Sequence, residues 1–183
     1  MSTLRTVSRR TAILAAVTAS ALAASVAPAS ASPSDAARAR QATAALHDSS
    51  LVTGSNDWVQ VYDQQHITCI DNPAGGMGIH FLDVARFVDP DEDAGAPELV
   101  IYEPTAGGGL RLVAVEYLVT QQAWADAGHT QPPHLFGQDF EPVPAGNRYG
   151  LPAFYELHAW IWKNNPAGFN DDWNPNVSCA FAP

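Results

Sequence analysis

From residue 57 onward, short apolar runs alternate with stretches of turn chemistry. Trp58–Asp63, WVQVYD, alternates apolar and polar positions as a half-buried strand does. HITCI, ending at Ile70, is short and β-branched and predicts another strand. DNPAGGMG, Asp71 to Gly78, leads into IHFLD, and VDPDEDAGAP leads into ELVIYE, Glu98 to Glu103. The six-residue loop PTAGGG joins that run to LRLVAVEYLV, Leu110 to Val119, which makes the clearest hairpin in the chain. TQQAWADAG then predicts one or two helical turns. His129 to Pro152 is rich in Pro and Gly without a period and reads as a long loop, within which HTQPPHLFGQDF could fold over a pocket as a lid. The final run is YELHAWIW, Tyr155 to Trp162, followed by a Trp/Asn/Pro tail.

Ahead of these runs, Ser34 to Asp48 predicts a helix that Ser34 or Asp35 can cap. Its apolar face is thin, so it should lie on another element. Strands outnumber helices and their neighbours look antiparallel. The expected fold is α+β, a curved antiparallel sheet or a small β-barrel with an N-terminal helix.

The first 31 residues change the picture. Arg5, Arg9 and Arg10 form a basic start, an uncharged Ala-rich stretch follows, and Ala29-Ser30-Ala31 is a small-x-small cleavage pattern. Residues 1–31 therefore read as an export signal, 32–56 as helix and linker, and 57–183 as one β-rich domain. Arg9 and Arg10 in SRRTAIL also carry the twin-arginine mark of the Tat route, although Sec leaders use basic starts too. Ala, Ser and Thr dominate the stretch and make it a weak membrane anchor, so no insertion is expected after cleavage.

Beyond the leader, six cations face nineteen acids, a balance of −13. A field of that sign repels phosphate backbones and anionic lipid, which argues against nucleic-acid and membrane-surface partners. Cys69 and Cys179 are the only cysteines. One pair in an exported chain reads as one disulfide.

Candidate chemistry comes from polar residues set in apolar strands. Period two puts Glu116 on a face with Leu112, Ala114 and Leu118, and both faces of that strand are mostly apolar. A buried carboxylate must be neutralised, paired or bound to a cation, and few Lys or Arg are present to serve it. In the last run, Tyr155, Leu157, Ala159 and Ile161 form one apolar face, while Phe154, Glu156, His158, Trp160 and Trp162 form the other. Aromatics with a few placed polar groups describe a cavity lining better than a wet surface. His80 shares its face with Gly78 and Leu82, and Gly75, Gly76 and Gly78 leave room beside it for a backbone turn or a ligand.

The expectation is that His80, Glu116 and His158 converge inside the sheet with Glu156 nearby. Two imidazoles and a carboxylate could hold zinc, iron, copper or manganese and leave open positions. The same residues also suit an unmetallated polar pocket, or a structural role satisfied by backbone and water. Their spacing matches neither HExxH nor a cupin-like HxH followed by Glu. DPDEDAG, Asp89 to Gly95, resembles a calcium loop but lacks its glycine and its terminal Glu, and reads as an acidic surface turn.

Three functions follow from these residues. The first is an exported protein binding a metal ion or small ligand in a pocket lined by Glu156, Trp160 and Trp162. The second is an extracytoplasmic enzyme with Glu116 or Glu156 as general base. The third is an envelope or secreted interaction protein whose tail around Trp173 meets a partner.

GMGIHFLD, PELVIYEP, VAVEYLV, PPHLFGQDF and YELHAWIWKNNPAGFNDDWNPNVSC together resemble a set shared by exported bacterial proteins of unassigned function. The likeness runs from about Asp35 to Cys179. It implies that His80, Glu116, Glu156, His158 and the terminal cysteine belong to the shared pattern, and it carries no activity or cofactor with it.

Overall fold

The two runs expected to form the clearest hairpin, β4 (Leu99–Pro104) and β5 (Leu110–Thr120), lie at the centre of an antiparallel sheet. The computed structural model describes residues 34–183, so the expected leader lies outside the described residues. β3 (Gly75–Asp83) pairs with β4, and its outer side pairs with two short strands end to end, β1 (Trp58–Gln60) and β2 (Cys69–Asn72). On the other side β5 pairs with β9 (Phe154–Ala159), and β9 with the edge strand β8 (Glu141–Val143). Every residue of β4 is buried, because both faces of the sheet are covered.

The sheet is open among the described residues, and the small-barrel alternative is not realised. β1, β2 and β8 span only three or four residues each, and no pairing joins the two edges to close the ladder. A bulge in β5 also departs from simple alternation. Ile101 pairs with Ala114 but Tyr102 with Leu112, so one extra residue is inserted at Val113. Leu112 therefore packs with Tyr102 on the opposite face from Glu116, not on the same face as period two implies.

That opposite face carries the N-terminal segment. α1 (Asp35–Thr43) is capped by Ser34, whose hydroxyl accepts from the Ala37 amide at 3.3 Å. The expected single helix to Asp48 tightens after Thr43 into a 3-10 turn, Ala44–His47, followed by α2 (Ser50–Thr53). Its thin apolar face suffices because hydrogen bonds anchor it. The Tyr102 hydroxyl donates to Leu46 O at 2.7 Å, and Trp162 Nε1 donates to Thr43 Oγ1 at 3.1 Å. Ala39 and Val52 are buried there with Phe81, Tyr102, Val115, Tyr117 and Leu157.

α3 (Val84–Phe87) follows β3, and α4 (Gln121–Asp126) supplies the helical turn expected after β5. The loop after it holds a small hairpin, β6 (His134–Leu135) and β7 (Gln138–Asp139). The tail turns back across the sheet. Asn174 exchanges two backbone bonds with Gly76, each 3.1 Å, and Cys179 is joined to Cys69 across 110 residues. No helix among the described residues is long and apolar enough to cross a membrane.

Candidate metal centre

The sheet face away from α1 carries the three expected residues on three different strands. β3 presents His80 opposite Ile101, and β5 presents Glu116 with Leu99 on one side and His158 of β9 on the other. His80 and His158 thus stand three strand spacings apart, roughly 14 Å on a flat sheet. Their ring centroids are nevertheless 6.1 Å apart, at 89° to one another. Side chains leaning inward close only part of that gap, so this face is concave.

At its floor, His80 Nε2 lies 3.5 Å and His158 Nε2 3.7 Å from Glu116 Oε2. All three residues are at most 4% exposed. His80 Nε2 and both His158 nitrogens are buried without a hydrogen-bond partner. Among the described residues these are the only three His, Cys, Asp or Glu whose ligand atoms gather within 4.8 Å of one another, and the group could hold a metal ion. With bonds of about 2.1 Å, two ligands of a tetrahedral ion stand roughly 3.4 Å apart. The two nitrogen–oxygen separations are close to that value and too long for charge-assisted hydrogen bonds.

The electrostatics separate the two imidazoles. Burial pushes His80 down to about 3, the charge of His158 adds to the effect, and a hydrogen bond to the Gly78 backbone opposes it. His80 is therefore neutral. At His158 burial also acts downward, but Glu116, Asp172 and Glu156 outweigh it and lift the ring to about 9. Burial raises Glu116 despite the pull of His158. Glu156 is pushed up to about 8, by burial first and then by the charge of Glu116. Burial would raise Asp172 too, but contact with His158 reverses this and holds it below the ordinary carboxylate value. Two acids that resist ionisation beside an imidazolium form a site that a divalent cation would relieve by displacing protons.

The remaining expected residues divide. Glu156 lies two residues from His158 on the same strand and opposite Leu118, at the margin of the site. Trp160 stays with His158, their rings stacked at 6.3 Å, and its Nε1 donates to Asp171 O at 2.6 Å. Trp162 does not join them. β9 ends at Ala159, where the Ile161 amide bonds back to Ala159 O at 2.8 Å, and the alternation is lost. Trp162 packs instead on His47, with ring centroids 4.4 Å apart, on the α1 side.

The glycines before His80 serve backbone, not a ligand. A Cβ at Gly76 would meet Val177 at 2.9 Å, and one at Gly78, whose φ is +111°, would meet Tyr102 O at 2.7 Å. HTQPPHLFGQDF likewise forms no lid here. Leu135 and Phe140 are buried in the core on the α1 side, and Phe136 packs at 5.5 Å from Tyr117. The tail around Trp173 is not a free arm, since Asn174 and Val177 are buried against the sheet. In the acidic turn, Asp93 is engaged by Arg38 and by the Gly95 amide.

Sequence reasoning passed over two residues at the site. Asp172 Oδ1 lies 3.3 Å from His158 Nδ1, so a carboxylate backs the imidazole on the side away from Glu116. Asn170 Nδ2 donates to His158 O at 2.6 Å and fixes the same segment. Tyr149 and Leu151 close the front, where a cavity of about 20 Å³ is lined by His80 and Glu116 together with Val61, Leu82, Leu118 and Phe154. A roomier hollow of about 270 Å³, walled by Ile79, Phe81 and Leu110, is on the α1 side and has no His, Cys, Asp or Glu in its wall.

No protein-family model, no curated protein and no solved structure matches the chain, so the functional reading rests on the geometry above.

Proposed function

We propose that the protein binds one divalent transition-metal ion through His80 Nε2, Glu116 and His158 Nε2, outside the cytoplasm. The observation that supports this is the pair of buried, unpartnered imidazole nitrogens facing one carboxylate oxygen at 3.5 and 3.7 Å. A buried polar atom left without a partner costs about 1–3 kcal/mol, and one cation between the three groups satisfies all of them. Two imidazoles and a carboxylate suit zinc, iron, copper or manganese, and such a set leaves a coordination position open. Export is supported by the basic start, the Ala29-Ser30-Ala31 pattern and the disulfide. A second reading, an extracytoplasmic enzyme, is favoured by Glu156, whose carboxyl at about 8 is poised for proton transfer near neutral pH.

Elemental analysis of protein exported by its own leader, followed by calorimetric titration with each ion, tests the proposal. One ion per chain is expected, with binding abolished in His158→Ala and Glu116→Gln. An ion at about 100 times its Kd adds about 2.7 kcal/mol, which raises Tm by roughly 5–11 °C for a domain of this size. No stoichiometric ion, with a Tm unmoved by chelator or added metal, would reject it.

A further inference from the structure

The cavity in front of the three ligands is asymmetric. Leu99, Leu118, Leu151 and Phe154 wall it, His80 and Glu116 are at its floor, and His158 lies behind them against Trp160 and Asp172. An ion among the three ligands is therefore enclosed on the His158 side, and any position it leaves open faces the apolar chamber. About 20 Å³ is available there, roughly the space in which one water-sized sphere can move.

The chamber wall is also fixed. Tyr149 and Leu151 belong to a turn whose Asn147 side chain accepts from both of their amides at 3.2 Å. Arg148, between them and Asn147, is held from outside. Its guanidinium donates to Asp63 at 3.2 Å, and its carbonyl accepts from the Gln64 amide at 2.9 Å. Gln64 Nε2 adds a bond to Asn147 O at 2.8 Å. Asp63 is 3% exposed and also accepts from the Gln65 and Ile67 amides, so the anchor itself is rigid. A wall tied at several points selects by size, because widening it breaks these hydrogen bonds together.

We infer that this cavity is the entry chamber of the metal's open position and that it admits exogenous ligands of about two or three heavy atoms, the size class of azide, cyanide and dioxygen, while excluding ring-sized ones. The inference rests on the metal-binding reading and deepens it by naming the class of second ligand. Val61, Leu82, Leu99, Leu118, Leu151 and Phe154 offer such a ligand no hydrogen bonds, so ligation to the metal is what holds it.

Cobalt(II)-loaded protein provides the test, since its visible bands report a change in coordination. Azide should shift those bands saturably, whereas imidazole at equal concentration should leave them unchanged. Leu151→Ala, at a partly buried wall position, should let imidazole bind at least about tenfold more tightly than in the wild type, with cobalt affinity unaltered. Leu151→Val, a milder widening, should move it in the same direction. Imidazole binding the wild type as well as azide does, or azide leaving the bands unmoved, overturns the inference alone. Failure to take up cobalt overturns the metal reading and this inference with it.

Discussion

Glu98 offers a test of the physical reasoning that is independent of any metal. It immediately precedes β4, is 2% exposed, and accepts a hydrogen bond from the Leu118 amide at 3.1 Å. Glu92 lies within Coulombic reach, and neither of its buried carboxylate oxygens has a hydrogen-bond partner. Burial first and the charge of Glu92 second push Glu98 up to about 9, while burial and then the charge of Asp89 push Glu92 up to about 8, both from 4.5. The folded chain thus keeps protons that the unfolded chain releases above about pH 4.5. This stabilisation is fully present below that pH and is lost as pH rises through the folded values. Each retained proton gives a slope of about 1.4 kcal/mol per pH unit, on the order of 4 kcal/mol between about pH 5 and pH 8. Glu98→Gln mimics the protonated acid: its oxygen still accepts from the Leu118 amide, and it carries no charge at any pH. Urea unfolding in the presence of chelator should find variant and wild type alike near pH 5. The variant should gain by more than about 1 kcal/mol toward pH 8. A stability difference that does not change with pH would refute the assignment of a buried, protonated Glu98.

Two further outcomes concern the tail that backs the site. Reducing Cys69–Cys179, or replacing both by Ala, releases a 110-residue loop and should cost about 4.8 kcal/mol in the chain-entropy model, measured by denaturant unfolding with and without a phosphine reductant; an unchanged midpoint would contradict it. Asp172→Asn should weaken metal binding by about 10–100-fold with Tm of the metal-free protein little changed, read by calorimetry, whereas equal affinities would show that the 3.3 Å contact does not orient His158.

Much of the sheet was legible because its signals are local. The β4–β5 hairpin is two apolar runs around a Pro/Gly loop, and the helical turn after β5 begins at Thr120, whose hydroxyl accepts from the Ala123 amide at 3.1 Å. His80, Glu116 and His158 were legible for a related reason: each is a polar residue on a strand face that is otherwise apolar, and such a residue needs an explanation wherever the strand lies. The misplacements trace to single backbone events. The bulge at Val113 moves Leu112 to the α1 side, and the bond from Ile161 to Ala159 ends the alternation before Trp162. Neither event has a Gly or Pro to announce it, and the conformations are set by what packs against them: Tyr102 with Leu112, and Thr43 and His47 with Trp162.

Tyr149 and Asp172 lay beyond that kind of reading because each reaches the site through long-range closure. Asp172 arrives on a tail held by two bonds to Gly76 and by the disulfide to Cys69, and Tyr149 arrives on a turn that Asp63 and Gln64 tether from the other end of the sheet. Of the two uses the glycines before His80 allow, backbone and not ligand is realised: the tail's backbone meets β3 there, since a Cβ at Gly75 would approach the Asn174 backbone to 2.4 Å. Concavity does the rest. A flat sheet with the same registers would leave His80 and His158 on strands roughly 14 Å apart, so the 6.1 Å between their rings requires the intervening strands to curve toward the site.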